Sequence, residues 1–348
     1  MTQPVALWVA PVSQLAGVSR HVLDVAREGI PGYRLEVAAP VGPLTDALRA
    51  RGTRVHPVDF SGPPARSGAA LRKVVARVRP RIVHSHLARA DFLVAAATVG
   101  LPVRLVSTEH GIAGDAQLYH RGRLRAQSRQ ALHHLRSRRF SALIAVSEST
   151  RREMVAAWRP AVPIEVVRNG VDPVGERHAL PGLRFLTLSR LAAEKNLPAA
   201  LRAFGVIAQE EPQARLTVAG EGPELNHLVA LTHAGHLAHL VRFVGHVDPG
   251  MALDSHDVLV QLSEWENASY SLLDAVVRGL GVVATPVGGN REILPSQCLV
   301  AADSPRAVAD VMSRQALHLD SRPQLPGDWP TVRAMVDQIA SIYVRISE

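Results

Sequence analysis

Two carboxylates and two cations carry the most visible chemistry in this chain. Glu266 is followed by seven residues and then by Asp274, inside a segment running from Ser263 to Ala275. A strand-like apolar run, Val258 to Leu262, precedes it; a helix-like run, Ser269 to Arg278, follows and stops at Gly279. This spacing predicts Glu266 on a strand-to-helix loop and Asp274 in the first turns of the helix. The open amides at a helix start attract anions. Two acids so placed can grip a sugar and a ribose on either side of a phosphate group. Upstream, Arg190 and Lys195 flank a loop leaving the apolar run Leu183 to Leu188, with Asn196 in position to cap the next helix. Two loop cations can neutralise a diphosphate without a metal, each charge-assisted hydrogen bond contributing about 1.5–3 kcal/mol. Alone, the pair also fits an ordinary surface loop, with Glu194 balancing one charge.

The elements that must position these groups follow a βαβ rhythm. In the first half, strands are predicted at Ala6–Ala10, Arg34–Ala39, Val55–Phe60, Ile82–Ser85, Val103–Thr108, Leu143–Ser147 and Ile164–Arg168. Helical patterns include Gly17–Glu28, Gly68–Val78 and Ala90–Val99. Such alternation argues for parallel sheets covered on both faces. Pro173, Gly175, Pro181 and Gly182 cluster as a linker, and a second βαβ series runs from Leu183 to about Met312. The fold class is therefore α/β, with two doubly wound, Rossmann-like domains at 1–174 and 183–325. A ligand is expected in the cleft between them, at the carboxyl ends of the strands. Trp329–Ile346 carries Val332, Met335, Val336, Ile339, Ile342 and Tyr343 at helical spacing.

Further segments occur in a recognisable order. They are Ser189 to Leu197, Gly220-Glu-Gly-Pro-Glu, Phe243-Val-Gly and Thr285-Pro-Val-Gly-Gly-Asn-Arg-Glu. The first half adds Ala16-Gly17, Val83-His-Ser-His86, Glu109-His-Gly111 and Arg168-Asn-Gly-Val-Asp172. In this order the chain resembles the retaining glycosyltransferases of family 4, group 1, which have the GT-B fold, and the resemblance covers nearly its whole length. It implies transfer of a sugar from a nucleotide-diphosphate sugar, UDP- or GDP-linked, to a hydroxyl acceptor in glycan, glycolipid or glycosylated-metabolite synthesis. It implies no divalent metal and no resident cofactor, the nucleotide sugar being a co-substrate. The 329–348 segment is then the helix that crosses back to the first domain.

The resemblance also assigns roles. Glu266 faces the donor sugar, and the amides of Asn267, Ala268 and Ser269 approach the donor. Asp274 stands where the family has a glutamate that holds the ribose, a reach shorter by about 1.5 Å. Asn267 replaces a glycine. His110 follows a strand near the donor sugar and acceptor, where its ordinary pKa suits proton transfer or hydroxyl binding; His86 ranks as structural or acceptor-side. Gly17 and Gly220 count among the substrate- and donor-binding positions, small residues that let backbone amides approach phosphate or acceptor. The departures at Asp274, Asn267 and Ala16 leave an alternative, a non-catalytic nucleotide-sugar-binding or regulatory subunit of the same fold.

Composition narrows the field. The 348 residues suit two domains, and 47% are hydrophobic, yet no run reaches membrane-spanning length. The single cysteine, Cys298, excludes an internal disulfide and a cysteine-rich metal site. No signal-peptide pattern precedes Ala6, so a cytoplasmic location is expected. The net charge of +8 is uneven: residues 1–174 hold 25 Lys+Arg against 12 Asp+Glu, and the remainder 14 against 19. An arginine-rich composition explains this as well as an anionic partner does. Aromatic residues are only 4% and are not interleaved with the arginines, which argues against nucleic acid. Arg121 to Arg139 holds seven arginines and no acid, with Leu124, Leu132 and Leu135 as a partial apolar stripe. It fits either a solvated helix face or a peripheral contact with an anionic membrane. A nicotinamide dehydrogenase is disfavoured, because the first turn, Pro11 to Ser19, lacks the G-x-G-x-x-G pattern.

Overall fold

The computed structural model describes residues 3–111, 123–175 and 180–348. The chain divides into two compact units, Met1–Gly170 with Pro330–Glu348, and Val171–Trp329.

The first unit holds strands β1 (Val5–Val9), β2 (Arg34–Ala39), β3 (Arg54–Pro57), β4 (Ile82–His86), β5 (Arg104–Glu109), β6 (Ala142–Ala145) and β7 (Ile164–Val166). Helices α1 (Gly17–Glu28), α2 (Pro43–Ala50), α3 (Pro64–Val78), α4 (Ala88–Ala97), α5 (Arg123–Ser137) and α6 (Glu148–Trp158) connect them. The strands are all parallel, in the order β3-β2-β1-β4-β5-β6-β7. β1 is buried along its whole length, as a central parallel strand covered on both faces must be. The order reverses between β1 and β4, where Trp8 lies beside His84. A crevice for a ligand forms at the strand ends of such a reversal.

The second unit repeats the plan with β8 (Arg184–Leu188), α7 (Leu197–Glu210), β9 (Arg215–Ala219), α8 (Leu225–Ala234), β10 (Val241–Gly245), α9 (Pro249–Asp254), β11 (Val258–Gln261), α10 (Tyr270–Val277), β12 (Gly281–Ala284), α11 (Asn290–Ile293) and α12 (Pro305–Leu317). Its parallel order is β10-β9-β8-β11-β12, reversing between β8 and β11.

The last helix, α13 (Val332–Ser347), belongs to the first unit. Thr331 caps it through a 3.1 Å bond from the Ala334 amide. Met335, Val336, Ile339 and Tyr343 are fully buried with Trp8, Val22 and Val37. Each large apolar side chain so buried stabilises by about 1.5–3 kcal/mol. Trp8 Nε1 donates to the Tyr343 hydroxyl at 2.8 Å, tying helix to central strand.

Some expectations shift. α2 was not foreseen: only Leu44 and Leu48 give it an apolar face, and its signals are local. Pro43 starts it, and the Thr45 hydroxyl accepts from the Gly42 amide at 3.0 Å. β3 stops at Pro57, which is in register with Ala39 on the outer edge of the sheet, and the Val58 amide makes the last bond to Ala39 O at 3.0 Å. β4 runs one residue further than expected, through His86, so that both His84 and His86 lie inside it. Asn196 stands at the start of α7 but in the left-handed region, φ 47°, and its side chain makes no cap. Arg121 and the side chains through residue 129 lie outside the described residues. Beyond them, Arg136 turns inward, while Leu132 and Leu135 are exposed. Among the described residues no helix is long and apolar enough to cross a membrane.

Candidate active site

In the second unit the site grows from the β8 and β11 ends. After β8 the chain turns through Ser189 and Arg190, enters a single 3-10 turn at Ala193–Lys195, and starts α7. This loop is pinned from below by the loop after β9. The Leu191 amide donates to Glu221 O at 2.8 Å, and the Glu224 amide to Leu191 O at 3.1 Å. Gly220, at φ 135°, packs so closely that a Cβ would overlap the Ser189 carbonyl oxygen. Its glycine is thereby accounted for by packing under Arg190.

The loop after β11 is held as tightly. The Glu264 amide donates to Glu194 O at 2.8 Å, joining the two loops. Ser263 is fully buried, and its hydroxyl donates to Glu266 Oε1 at 2.9 Å. Lys195 Nζ makes an ion pair with the same oxygen. Thr285 Oγ1 donates to Ser263 O at 2.5 Å, and Asn290 Nδ2 to Thr285 O at 3.0 Å. Gly288, at φ 49°, lies against the Glu266 carbonyl oxygen, with no room for a Cβ. Ser269 caps α10, and its hydroxyl donates to Gln261 Oε1 at 2.8 Å.

The predicted residues thus fall into four groups. Lys195 and Glu266 come together, with side chains 19% and 13% exposed, so both reach solvent from a largely buried base. Arg190 lies on the same loop but is 68% exposed and pairs with Glu194. Asp274 is buried in α10, 3.8 Å from Arg278, which also pairs with Asp254 at 3.2 Å. Asn267 is buried beside Glu266, whereas Ala268 and Ser269 are partly exposed at the α10 start. Gln261 was missed, and Ser263, Thr285 and Gly288, although inside the quoted segments, were given no role, because holding a backbone or an acid in place has no spacing rule of its own. We expect Gly288→Ala to cost about 1–3 kcal/mol, since the left-handed backbone and the Glu266 carbonyl both oppose a side chain. Gly68→Ala, in helix α3 with open space around it, should be neutral or stabilising. Thermal melts of the two variants check this; equal midpoints would contradict it.

The first unit brings histidines together at its own order reversal. Gly17 is exposed at the start of α1, which has no side-chain cap. One turn on, His21 points inward; His86 ends β4 and His110 follows β5. His86 Nδ1 and His110 Nε2 share a proton at 2.9 Å, and the His21 and His110 ring centres are 4.8 Å apart. His84, stacked on His86, takes the Tyr343 hydroxyl proton at Nδ1 (2.5 Å) and donates from Nε2 to Thr108 Oγ1 (2.7 Å). Burial holds all four rings neutral: His21 falls to about 4, and His84, His86 and His110 drop well below the usual value. Beside them, burial and then the Asp91 charge push Glu109 up to about 8. Asp91 accepts from Ser85 (2.6 Å) and Ser107 (2.8 Å) and pairs with Arg136, so Arg136 is a structural residue.

Two parallel doubly wound sheets, each with polar groups at its order reversal, are the architecture of the GT-B glycosyltransferases. Comparison with known proteins agrees. The family model for Glycosyltransferase Family 4 matches residues 15–174, and that for Glycosyl transferases group 1 matches residues 182–316. Glycogen synthase of Mycobacterium tuberculosis is 28% identical over 290 residues, 75% of this chain and 68% of that protein. The gpi3 polypeptide of the Schizosaccharomyces pombe phosphatidylinositol N-acetylglucosaminyltransferase is 26% identical over 65% of this chain, which spans about half (51%) of that relative. The crystal structure of Anabaena HepE in complex with UDP-glucose superposes with a TM-score of 0.78 at 18% identity, covering 99% of this chain and 97% of the other. The chain belongs to the family 4, group 1 glycosyltransferases.

Proposed function

We propose that this glycosyltransferase moves a sugar from a UDP- or GDP-sugar to an acceptor hydroxyl with retention of configuration and without a divalent metal. The observation that carries this reading is the Lys195–Glu266 pair, braced by Ser263, at the order reversal of the second sheet. A donor entering there meets a cation and an acid already aligned. Lys195 and Arg190 take the diphosphate charge, and Glu266 takes sugar hydroxyls. The amides of Asn267, Ala268 and Ser269 face the donor at the α10 start, and Asp274 holds the ribose. Stabilisation that grows as the sugar–phosphate bond breaks is what accelerates transfer. The departing diphosphate then accepts the acceptor's proton on the same face. His110 supports a sugar hydroxyl or shuttles a proton. The family relatives that build polysaccharides and glycolipids support the same class of product. Peripheral contact of the Arg121–Arg139 region with an anionic membrane belongs to this proposal, with exposed Leu132 and Leu135 as its apolar part.

The test is a thermal-shift series with UDP, GDP, ADP and dTDP in the presence of a chelator. Ligand at 100 times its dissociation constant stabilises by about 2.7 kcal/mol. One of UDP or GDP should raise the melting point by a few degrees, and the Lys195→Ala variant should lose that response. A shift that appears only with magnesium or manganese sinks the metal-free reading; no shift with any nucleotide sinks the donor assignment.

A further inference from the structure

We propose that His21, His86 and His110 form a binding site for a zinc-class transition-metal ion, separate from the donor chemistry of the second unit. The three side chains each offer one ligand nitrogen, and these atoms lie within 4.8 Å of one another. A tetrahedral zinc with bonds of about 2.0–2.1 Å asks for nitrogens about 3.4 Å apart. The His86–His110 pair already stands at 2.9 Å, so His21 needs to move by little more than an ångström.

The donor set has the right chemistry. Imidazole suits zinc, copper and nickel, and no carboxylate is needed to hold them. The proton shared by His86 and His110 passes to the other nitrogen of the partly exposed His110 ring, leaving both facing nitrogens as donors. The surroundings orient the ligands. The His21 ring bonds to the Asn169 side chain, and Trp8 packs on His21 and His86 at centroid distances of 5.7 and 4.5 Å. Such partners fix ring orientation in metal sites. His21 and His86 are buried and His110 is partly exposed. An ion held there immobilises His110 and withdraws it from any hydroxyl it would serve, which makes the site inhibitory.

The experiment titrates the metal-free full chain with zinc in competition with a chromogenic chelator. Cobalt spectra give the coordination number. We expect one tight equivalent of zinc and tetrahedral cobalt bands. His110→Gln and His21→Gln should each weaken binding by about 100-fold or more, since even outer partners of metal ligands contribute 10–100-fold. His233→Ala, on an exposed helix of the second unit, should leave the titration unchanged. Circular dichroism without metal confirms that each variant is folded. His110 lies past the end of β5, and His21→Gln supplies an independent second variant. A wild-type titration that matches either folded glutamine variant overturns the site. The readout is binding, so it stands or falls apart from the transferase reading.

Discussion

Glu266→Gln is expected to lower turnover about 10²–10³-fold while leaving nucleotide affinity nearly intact, the scale of losing one aligned polar group at a charge-developing centre. The substitution keeps the shape and the Ser263 hydrogen bond but removes the charge that faces Lys195. Lys195 is then released toward the diphosphate, so ground-state binding does not suffer. Lys195→Ala differs: it strands a largely buried carboxylate and also removes the phosphate cation, so both turnover and donor KM should worsen. Asp274→Asn should act mainly on donor KM. It also weakens the grip of Arg278, which Asp254 shares, so Asp274→Glu serves as the second variant. Steady-state kinetics with the active donor separate these patterns. Identical kcat and KM changes at Glu266 and Asp274 would mean that their roles are misassigned. Wild-type rates in both would remove Glu266 and Asp274 from the working site.

The first unit should lose stability steeply in acid. His21, His84, His86 and His110 all have depressed folded-state pKa values, so in the unfolded chain each takes up a proton near 6.5 that the folded state refuses. Stability from such groups is complete above the unfolded value and is lost as pH falls below it. His21 alone, moving from 6.5 to about 4, removes about 3 kcal/mol over that window, and the other three add in the same direction. Glu109 works the opposite way. Its pKa rises from 4.5 to about 8, so the unfolded chain releases a proton that the folded state keeps, and stability declines between these values as pH rises. Asp91, raised by burial, has the same sign. The histidines outnumber the acids, so the first unit should be most stable near pH 6.5, with the steeper fall on the acid side. Urea titrations across pH in chelator, followed by the fluorescence of Trp8 and Trp158 in a chain carrying Trp265→Phe and Trp329→Phe, measure this. His86→Gln should reduce the acid slope by about one proton; a flat profile from pH 7 to 5 would refute the neutral cluster.

The sequence carried the sheet architecture well, because buried parallel strands are continuous apolar runs and their helices are long. Gly17–Glu28 and Arg34–Ala39 were legible to the residue. α2 was not, because eight residues with two buried leucines offer little periodicity. At the site, Lys195 and Glu266 were legible as chemical types, but their direct contact was not. It depends on a backbone bond from Glu264 to Glu194 and on the buried Ser263 hydroxyl, neither of which has a spacing rule. His21 was overlooked for a related reason. A histidine on the inner face of an amphipathic helix reads as one more core residue until strands 60 and more residues away bring His86 and His110 beside it.

The placement of α13 has a consequence for the order in which the chain can fold during synthesis. Domains generally fold as they emerge, the first before the second. Here the first sheet is complete in sequence by Val166, but the helix that covers Trp8, Val22 and Val37 appears only after Val171–Trp329 has been made. Until Tyr343 leaves the ribosome, Trp8 Nε1 and His84 Nδ1 lack their shared partner, and an apolar face on the older unit stays open. The second unit, whose strands and helices are contiguous, has no such delay. The younger unit should therefore reach its native state first, and nascent chains arrested before residue 330 should carry a folded second unit attached to an unfinished, chaperone-binding first one.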